Sequence, residues 1–318
     1  MPRLVIFFGN RILMSIVLII VVPSIAFVLQ VLTPGNVAQQ ILGEAATPAE
    51  IQRVEEQYGL NRPLPVRYFE WFRDLLHGSL GTSYLTGQKV SVVLEQRVPV
   101  TLGLAALALA VAIVVGLGLG VASGVRKGSG EAWSNALSVA GIAVPSFVLG
   151  LLLINVFAVN LGWFPASGYV QPSEDPGQWL RSLVLPVAAI ATAMITSIAK
   201  LTRDQMKSTL SAPFIRSLQG RGLHPGSVLF KHALRNSLIP VVTAIGLNAI
   251  TLIGGTVLVE QIFALPGVGL ALFEGVTQHD LPVTLGCALY FTLGVVIINF
   301  VTDASYALLD PRLRGGGR

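Results

Sequence analysis

The chain has 318 residues, of which 53% are hydrophobic and only 12% are charged, and its mean hydropathy is +0.72. A soluble domain carries about 25% charged residues, so this composition excludes a soluble protein and indicates an integral membrane protein. We attribute the net charge of +5 to basic cytoplasmic loops that face lipid head groups. The sequence has no stripe of basic and aromatic residues that would indicate nucleic-acid binding. One cysteine, Cys287, excludes an intrachain disulfide.

The first predicted element is a transmembrane helix over residues 12–32, an uncharged run that follows Arg3 and Arg11. As a helix this run would be about 31 Å long, which matches a hydrocarbon core of about 30 Å. No small-residue cleavage site follows it, so we expect a retained span with its N-terminus inside, not a signal peptide.

A polar insert follows at residues 33–97. The sequence Thr47-Pro48-Ala49-Glu50 has the pattern of a capping box with proline at the first helical position, which predicts a short amphipathic helix. A second helix is predicted from residue 66 to about residue 77. Its aromatic residues suit the belt at a membrane interface, and the alternative is a small packed cap with no ligand role. These residues are Tyr68, Phe69, Trp71 and Phe72.

Five further apolar runs predict five more spans, at residues 98–125, 132 to about 160, 182–199, 236–259 and 281–302. The second span carries Gly116, Gly118 and Gly120, which would allow close helix packing. Arg126 and Lys127 mark a short inside loop. Within the third span we expect a kink at Pro145.

The most basic segment lies between the fourth and fifth spans. Pro213 suits the first turn of a short helix, whose apolar face would contain Phe214, Ile215 and Leu218 and whose end would lie at Gly220 and Gly222. His224-Pro225-Gly226 predicts a turn, and Pro225 could open a helix that carries basic residues back to the membrane. Basic loops lie on the cytoplasmic side, so an ordinary inside loop remains an alternative to a docking helix.

The apolar runs contain no Lys, Arg, Asp, Glu or His. An ion-coupled carrier normally needs such a group within the membrane, and the closest candidates, Glu260 and Asp303, are interpreted as interfacial residues at span ends. Polar residues inside the spans either bond neighbouring helices or line a translocation path. The candidates for the path are Asn155, Thr192, Thr196, Asn248 and Asn299.

The sequence has no phosphate loop, so any ATP hydrolysis would occur on another chain. The four histidines have no second ligand at metal spacing, which gives no metal site. No Ser or Cys nucleophile has a nearby histidine and carboxylate. We therefore expect a transport subunit and not an enzyme.

Motif blocks from residue 34 to residue 310 resemble the B-type permease subunits of dipeptide and oligopeptide ABC importers. In the basic segment the resemblance rests on Phe214-Ile215-Arg216, Arg221-Gly222-Leu223 and the run from His232 to Arg235 that leads to Pro240. Gln219 and Gly220 stand where that group usually has arginine and alanine, and Asn36 replaces a common aspartate. Other blocks are Gly78-Ser79-Leu80-Gly81, Leu161-Gly162-Trp163-Phe164-Pro165, Phe263-Ala264-Leu265-Pro266-Gly267 and Asp310-Pro311-Arg312.

The resemblance implies an all-α integral membrane protein with six transmembrane helices, the type I ABC importer permease fold and a short extracytoplasmic helical insert. It implies a cytoplasmic end and first span at 1–32, the insert at 33–97, a permease core at 98–310 with a coupling loop at 203–239, and a cytoplasmic tail at 311–318. Both termini would be cytoplasmic in the inner or plasma membrane. The residues that would couple to an ATPase are Phe214, Ile215, Arg216, Leu218, Arg221, Gly222, Leu223, His232 and Arg235.

The resemblance also implies partners: a second homologous permease subunit, ATP-binding cassette subunits and an extracytoplasmic substrate-binding protein. ATP and Mg²⁺ would bind to the ATPase, with no cofactor in this chain. The function expected is peptide import by alternating access. Alternatives are import of nickel, glutathione or another small solute within the same family and, from a different class, an ion-coupled secondary transporter.

Overall fold

The structure is a computed structural model that describes residues 2–43, 45–125 and 144–309. Within these residues the chain is helical apart from its connections and one isolated antiparallel bridge between Thr82 and Lys89. The helices are α1 (Pro2–Leu32), α2 (Val37–Leu42), α3 (Pro48–Gln57), α4 (Leu64–Leu76), α5 (Val90–Val125), α6 (Ser146–Asn160), α7 (Pro176–Ser211), α8 (Pro213–Gly220), α9 (Pro225–Ile262), α10 (Val268–Thr277) and α11 (Leu281–Leu309). Two segments are π-helical, Ile154–Asn160 within α6 and Val228–Leu234 within α9.

Among the described residues, five helices are long and apolar enough to cross a membrane: α1, α5, α7, α9 and α11. They match the predicted first, second, fourth, fifth and sixth spans. The third predicted span is described only from residue 144 onward, and residues 132–143, together with Arg126 and Lys127, lie outside the described residues. Its end is confirmed, because α6 stops at Asn160.

Pro145 does not kink a continuous helix, so that prediction is wrong. Pro145 is the N-cap residue of α6, in an extended conformation with φ −58° and ψ 141°, and the helix begins after it at Ser146. Proline has no backbone N–H, so it is readily accommodated at a helix start and poorly in a helix interior.

The five long helices extend beyond the apolar runs that predicted them, α7 and α9 the furthest. Helix α7 starts at Pro176, where the Asp175 carboxylate accepts hydrogen bonds from the amides of Gly177 (2.8 Å) and Gln178 (3.0 Å). It continues to Ser211 through the basic residues that were assigned to the loop. Residues 203–211 and 225–239 therefore belong to the ends of α7 and α9. A membrane-spanning helix can continue as a helix through polar residues beyond its apolar part.

The insert is helical, as predicted. The capping box is present: the Thr47 amide donates to the Glu50 carboxylate at 2.9 Å, and the Thr47 hydroxyl oxygen accepts from the Glu50 amide at 3.4 Å. Hydrogen bonds from the Thr47 side chain and backbone lower the pKa of Glu50. Helix α4 covers the predicted second helix to within two residues at its start.

The chain divides into two compact units, one with residues 1–101 and 265–296 and the other with residues 102–264 and 297–318. In the first unit, Phe27 of α1 is buried with Leu281 and Leu285 of α11, and Tyr68 and Trp71 of α4 pack against them. The insert and the first span therefore share one apolar core.

Polar contacts complete the first unit. The buried Asp280 carboxylate accepts hydrogen bonds from the Ser83 hydroxyl and from the Tyr84 amide at 3.3 Å. The buried Gln30 side chain donates to the Val276 carbonyl at 3.2 Å, which ties α1 to the end of α10. Hydropathy does not predict these contacts, because each joins residues far apart in the chain.

In the second unit, small residues bring α5 against α7 at an interval of four residues on both helices. A Cβ at Gly116 would lie 2.9 Å from the Ile198 Cβ, and a Cβ at Gly120 would lie 2.5 Å from the Thr202 Cβ. The close packing predicted for these two glycines is confirmed. The same prediction for Gly118 is wrong, since nothing lies within 4 Å of a Cβ built there.

Candidate coupling surface and polar residues of the spans

Helix α8 is a short basic helix between α7 and α9. Pro213 occupies its first turn, as predicted, and Ala212 precedes it in an extended conformation. Proline sets φ for the first turn and lacks an N–H that would have no partner there. The chain therefore turns out of α7 at Ala212 and enters a separate helix of eight residues.

One face of α8 packs on both neighbouring helices. Ile215 is fully buried with Met206 of α7 and with Val228 and Ala233 of α9. Burying an isoleucine side chain contributes about 1.5–3 kcal/mol, so this contact attaches α8 to both spans. Half-buried residues surround the cluster: Val121, Leu210, Leu218, Leu223, Leu229 and Leu234.

The remaining surface of α8 is exposed and basic. Arg216 and Arg221 are exposed, and the exposed fraction of Phe214 is 42%. The three residues of the predicted apolar face therefore differ in burial: Ile215 points into the cluster, Leu218 is half-buried against it and Phe214 is exposed. Phe214 instead adds an apolar side chain to the exposed surface.

Gly222 ends the helix in the left-handed conformation, with φ +76°. The Gly222 amide donates to the Gln219 carbonyl at 2.9 Å, and the Leu223 amide donates to the Leu218 carbonyl at 3.4 Å. This pair of bonds, together with the packing of Leu218 and Leu223 on one cluster, is a Schellman motif. The predicted helix end is confirmed.

Helix α9 opens at the predicted turn. The His224 side chain caps it, with Nδ1 accepting a hydrogen bond from the Gly226 amide at 3.2 Å. Lys231 and Arg235 are exposed and His232 is half-buried. The π-helical segment that follows leaves Phe230 62% exposed. Phe230 was not predicted to be exposed, because the sequence Val228-Leu229-Phe230 does not indicate which of the three side chains is buried.

A further bond joins the two long helices beside α8. The Ser237 hydroxyl donates to the Thr209 hydroxyl at 3.0 Å and is within 2.9 Å of the Ala233 carbonyl. The ends of α7 and α9 are thus held by the apolar cluster around Ile215 and by this polar contact.

The polar residues of the spans make local bonds or join α7 to α9. Thr192 and Thr196 donate to the carbonyls four residues earlier, at 2.7 and 2.9 Å. Asn248 of α9 donates to the Ser197 hydroxyl of α7 at 3.3 Å and to the Ala244 carbonyl at 2.7 Å. Asn248 therefore forms a hydrogen bond between α9 and α7.

The other two path candidates differ in exposure. Asn155 is exposed on the π-helical part of α6, where it accepts a hydrogen bond from Asn160 at 3.2 Å. Asn299 is half-buried on α11, and Thr302, three residues later, packs against Gly246 of α9.

Glu260 and Asp303 lie directly after the apolar runs that predicted the fifth and sixth spans. Asp303 is half-buried on α11, whereas Glu260 is fully buried two residues before the end of α9. The complete burial of Glu260 differs from the interfacial environment that its position suggested.

Long apolar helices with polar side chains within them, joined by short connecting helices, are the features of a multi-pass membrane protein. Comparison with known proteins agrees with this class. The model of the family described as "binding-protein-dependent transport system inner membrane component" matches residues 112–315, and the model of that family's N-terminal part matches residues 4–105.

Similar proteins match nearly the full length of the chain. A Brucella abortus protein named as a peptide transport system permease is 39% identical over 309 residues, covering 96% of this chain and 98% of that one. The oligopeptide transport system permease protein AppB of Bacillus subtilis is 35% identical over 308 residues, with 96% and 98% covered. The chain belongs to the family of binding-protein-dependent transport system inner membrane components, and is a permease subunit of an ABC importer.

A solved structure shares the fold. The methionine ABC transporter MetNI, in an inward-facing conformation, contains a chain that matches with a TM-score of 0.56 and 18% identity, covering 69% of this chain and 96% of that one. The predicted type I importer permease fold is therefore confirmed. The domain boundaries predicted from the sequence stay predictions.

Proposed function

We propose that this chain moves dipeptides and oligopeptides across the cytoplasmic membrane and is driven by a separate ATPase chain that docks on α8. The peptide substrate is supported by the names of the relatives that match over nearly the full length of the chain. The coupling role is carried by one observation: Ile215 joins α8 to both α7 and α9, while Arg216 and Arg221 remain exposed.

The proposed mechanism follows from this attachment. ATP and Mg²⁺ bind on the ATPase, whose closure displaces the docked α8. Since α8 packs on Met206 of α7 and on Val228 of α9, displacement of α8 moves both spans and alternates access to a central path. A second permease subunit would complete that path, and a substrate-binding protein would deliver the peptide on the opposite side of the membrane from α8.

The proposed coupling surface comprises the nine residues predicted from the sequence, with different roles. Phe214, Arg216 and Arg221 would contact the ATPase, because they are exposed. Ile215, Leu218 and Leu223 would instead hold α8 in place, because they pack in the cluster. The exposed Arg235, the half-buried His232 and Gly222 complete the set.

The first test is co-purification of the tagged chain from mild detergent. We expect a second permease subunit and an ATPase to co-purify, with ATP hydrolysis stimulated by a peptide-loaded binding protein. A chain that purifies alone and transports in vesicles without ATP would contradict the proposal. Stimulation by nickel-loaded or glutathione-loaded binding protein, and not by peptide, would contradict the substrate alone.

A further inference from the structure

Helix α1 has an exposed apolar face on the side that does not pack on the rest of its unit. The exposed fractions of Ile25, Val28 and Leu29 are 52%, 52% and 61%. The window of α1 that is apolar enough to cross a membrane is only 11% buried. In a membrane protein this face contacts lipid. The membrane depth of a helix packed beside α1 can therefore be judged from its position along α1.

Helix α4 is attached to α1 below the end of that span. The hydroxyls of Tyr68 and Ser24 are 2.6 Å apart, and the rings of Phe27 and Tyr68 meet edge to face with centroids 5.4 Å apart. Ser24 precedes Leu32, the last residue of α1, by eight residues, which corresponds to about 12 Å along the helix. The Tyr68 hydroxyl therefore lies inside the depth of the span.

The apolar arc of α4 is wider than the part that packs on the protein. Tyr68 and Trp71 pack in the core of the unit. On the adjoining arc, the exposed fractions of Phe69 and Leu76 are 68% and 73%. At 100° per residue, Phe69 and Leu76 lie within about 20° of each other beside the packed face, whereas Val66 lies in the polar arc between Arg73 and Glu70.

The arc of α4 opposite the packed face is polar. Glu70 pairs with Arg62 at 2.7 Å, and Asp74 pairs with Arg73 at 3.2 Å. A helix with a polar arc, a packed apolar arc and an exposed apolar arc at membrane depth has the distribution of an interfacial helix, whose apolar face enters the boundary between head groups and acyl chains by about 5–10 Å.

We propose that α4 is an interfacial membrane helix and that Phe69 and Leu76 contact the acyl chains of the leaflet in which α1 ends. Lipid covers the exposed apolar arc of α4, because this arc lies beside the lipid-facing surface of α1 and the Tyr68–Ser24 contact places α4 within the depth of the span. The polar arc with Glu70 and Asp74 faces water. This inference is independent of the substrate and of the coupling role of α8.

The test measures the environment of spin labels on α4. Phe69→Cys, Leu76→Cys and the matched control Asp74→Cys are each made in a Cys287→Ala chain, assembled with its partner subunits in lipid nanodiscs and labelled with a nitroxide. Asp74 is a suitable control because its side chain is 51% exposed on the same helix. Collision rates with oxygen, which partitions into lipid, are compared with those of a water-soluble nickel chelate.

We expect oxygen to be the more effective relaxant at positions 69 and 76, and the nickel chelate to be the more effective at position 74. Dominance of the nickel chelate at all three positions would show a water-exposed cap and overturn the proposal. Low accessibility of positions 69 and 76 to both relaxants would show that another protein covers the arc, and would also overturn it. Two exposed apolar positions are labelled, so that if one variant fails to assemble the other still tests the proposal.

Discussion

At the residue scale, Gly222 combines a left-handed backbone conformation with open space around its Cβ position. Its φ of +76° lies in the left-handed region, which costs other L-residues about 1–2 kcal/mol. A Cβ built on it would meet nothing within 4 Å, so a side chain would project into the space where an ATPase would dock. A substitution can thus act through strain or through bulk, and neighbouring Gly220 allows the two to be separated.

We predict that Gly222→Leu and Gly220→Leu both abolish ATP-dependent uptake while the chain remains inserted and assembled. Gly220 is helical and also has open space around its Cβ position, so its leucine adds bulk without left-handed strain. Gly222→Asn should retain substantial uptake, because asparagine tolerates this conformation. The measurement is uptake into proteoliposomes normalised to assembled complex.

Normal uptake by Gly220→Leu would count against a docking role for this corner of α8. Loss of uptake in Gly222→Leu alone, accompanied by lower thermal stability, would assign the effect to the helix cap.

Asn248 and Asn299 differ in their hydrogen bonds, and the proposed path can be tested with that difference. Asn248→Leu removes the 3.3 Å bond to Ser197, which should reduce stability by about 1 kcal/mol, as for other interhelical bonds in membranes. Asn299→Leu should change uptake with little effect on stability if Asn299 lines the path. Thermal unfolding in detergent and peptide uptake are measured for both variants; a large loss of folded protein for Asn299→Leu would make it a packing residue.

At the scale of elements, the contact between α5 and α7 depends on which glycines face the partner helix. Gly116, Gly120 and Gly124 are buried against α7, whereas Gly118 is exposed. Small residues stabilise such contacts because they let two backbones approach closely. The spacing of four residues, not the number of glycines, identifies the packed face.

We predict that Gly120→Val lowers stability by about 1–3 kcal/mol, which is the cost of overpacking a close contact, while Gly118→Val is close to neutral. A Cβ at Gly120 would also lie 2.8 Å from the backbone carbonyl of Ala199, which cannot rotate away. Thermal unfolding of the purified chain, with both variants in the same detergent, provides the comparison. Equal melting temperatures for the two variants would contradict this packing.

At the scale of the whole molecule, the source of energy is a separate question from the fold. The buried Glu260 and the half-buried Asp303 are the residues on which an ion-coupled mechanism would have to depend. The family to which the chain belongs contains permease subunits of ABC importers, and the proposed docking of an ATPase on α8 makes ATP the driving ligand.

We predict that uptake by the assembled complex in vesicles requires internal ATP and the binding protein, and persists when a protonophore collapses the proton gradient. Glu260→Gln should retain ATP dependence, since the charge of Glu260 drives no step. A short unlabelled peptide should compete with labelled peptide more effectively than nickel or glutathione does. Uptake that continues without ATP and stops with the protonophore would contradict an ATP-driven importer.

Several features could be predicted because local rules decide them. The uncharged runs are long enough to span a membrane, and they indicated the five long helices directly. The capping box at Thr47 and the turn at His224-Pro225-Gly226 were equally readable, because each depends on side chains that bond the adjacent backbone. The N-cap at Asp175 followed by Pro176 carried the same signal and was missed, which is why α7 starts earlier than predicted.

The sequence by itself determined the class of protein, the five long spans and the position of α8, since hydropathy, proline and glycine act over a few residues. Only the tertiary structure decided which face each helix buries: Ile215 inward and Phe214 outward, Gly120 packed and Gly118 free, Tyr68 against α1 and Phe69 exposed. The physical reason is that burial depends on partners distant in the chain, and in a membrane both lipid-facing and protein-facing surfaces are apolar, so hydropathy does not distinguish them.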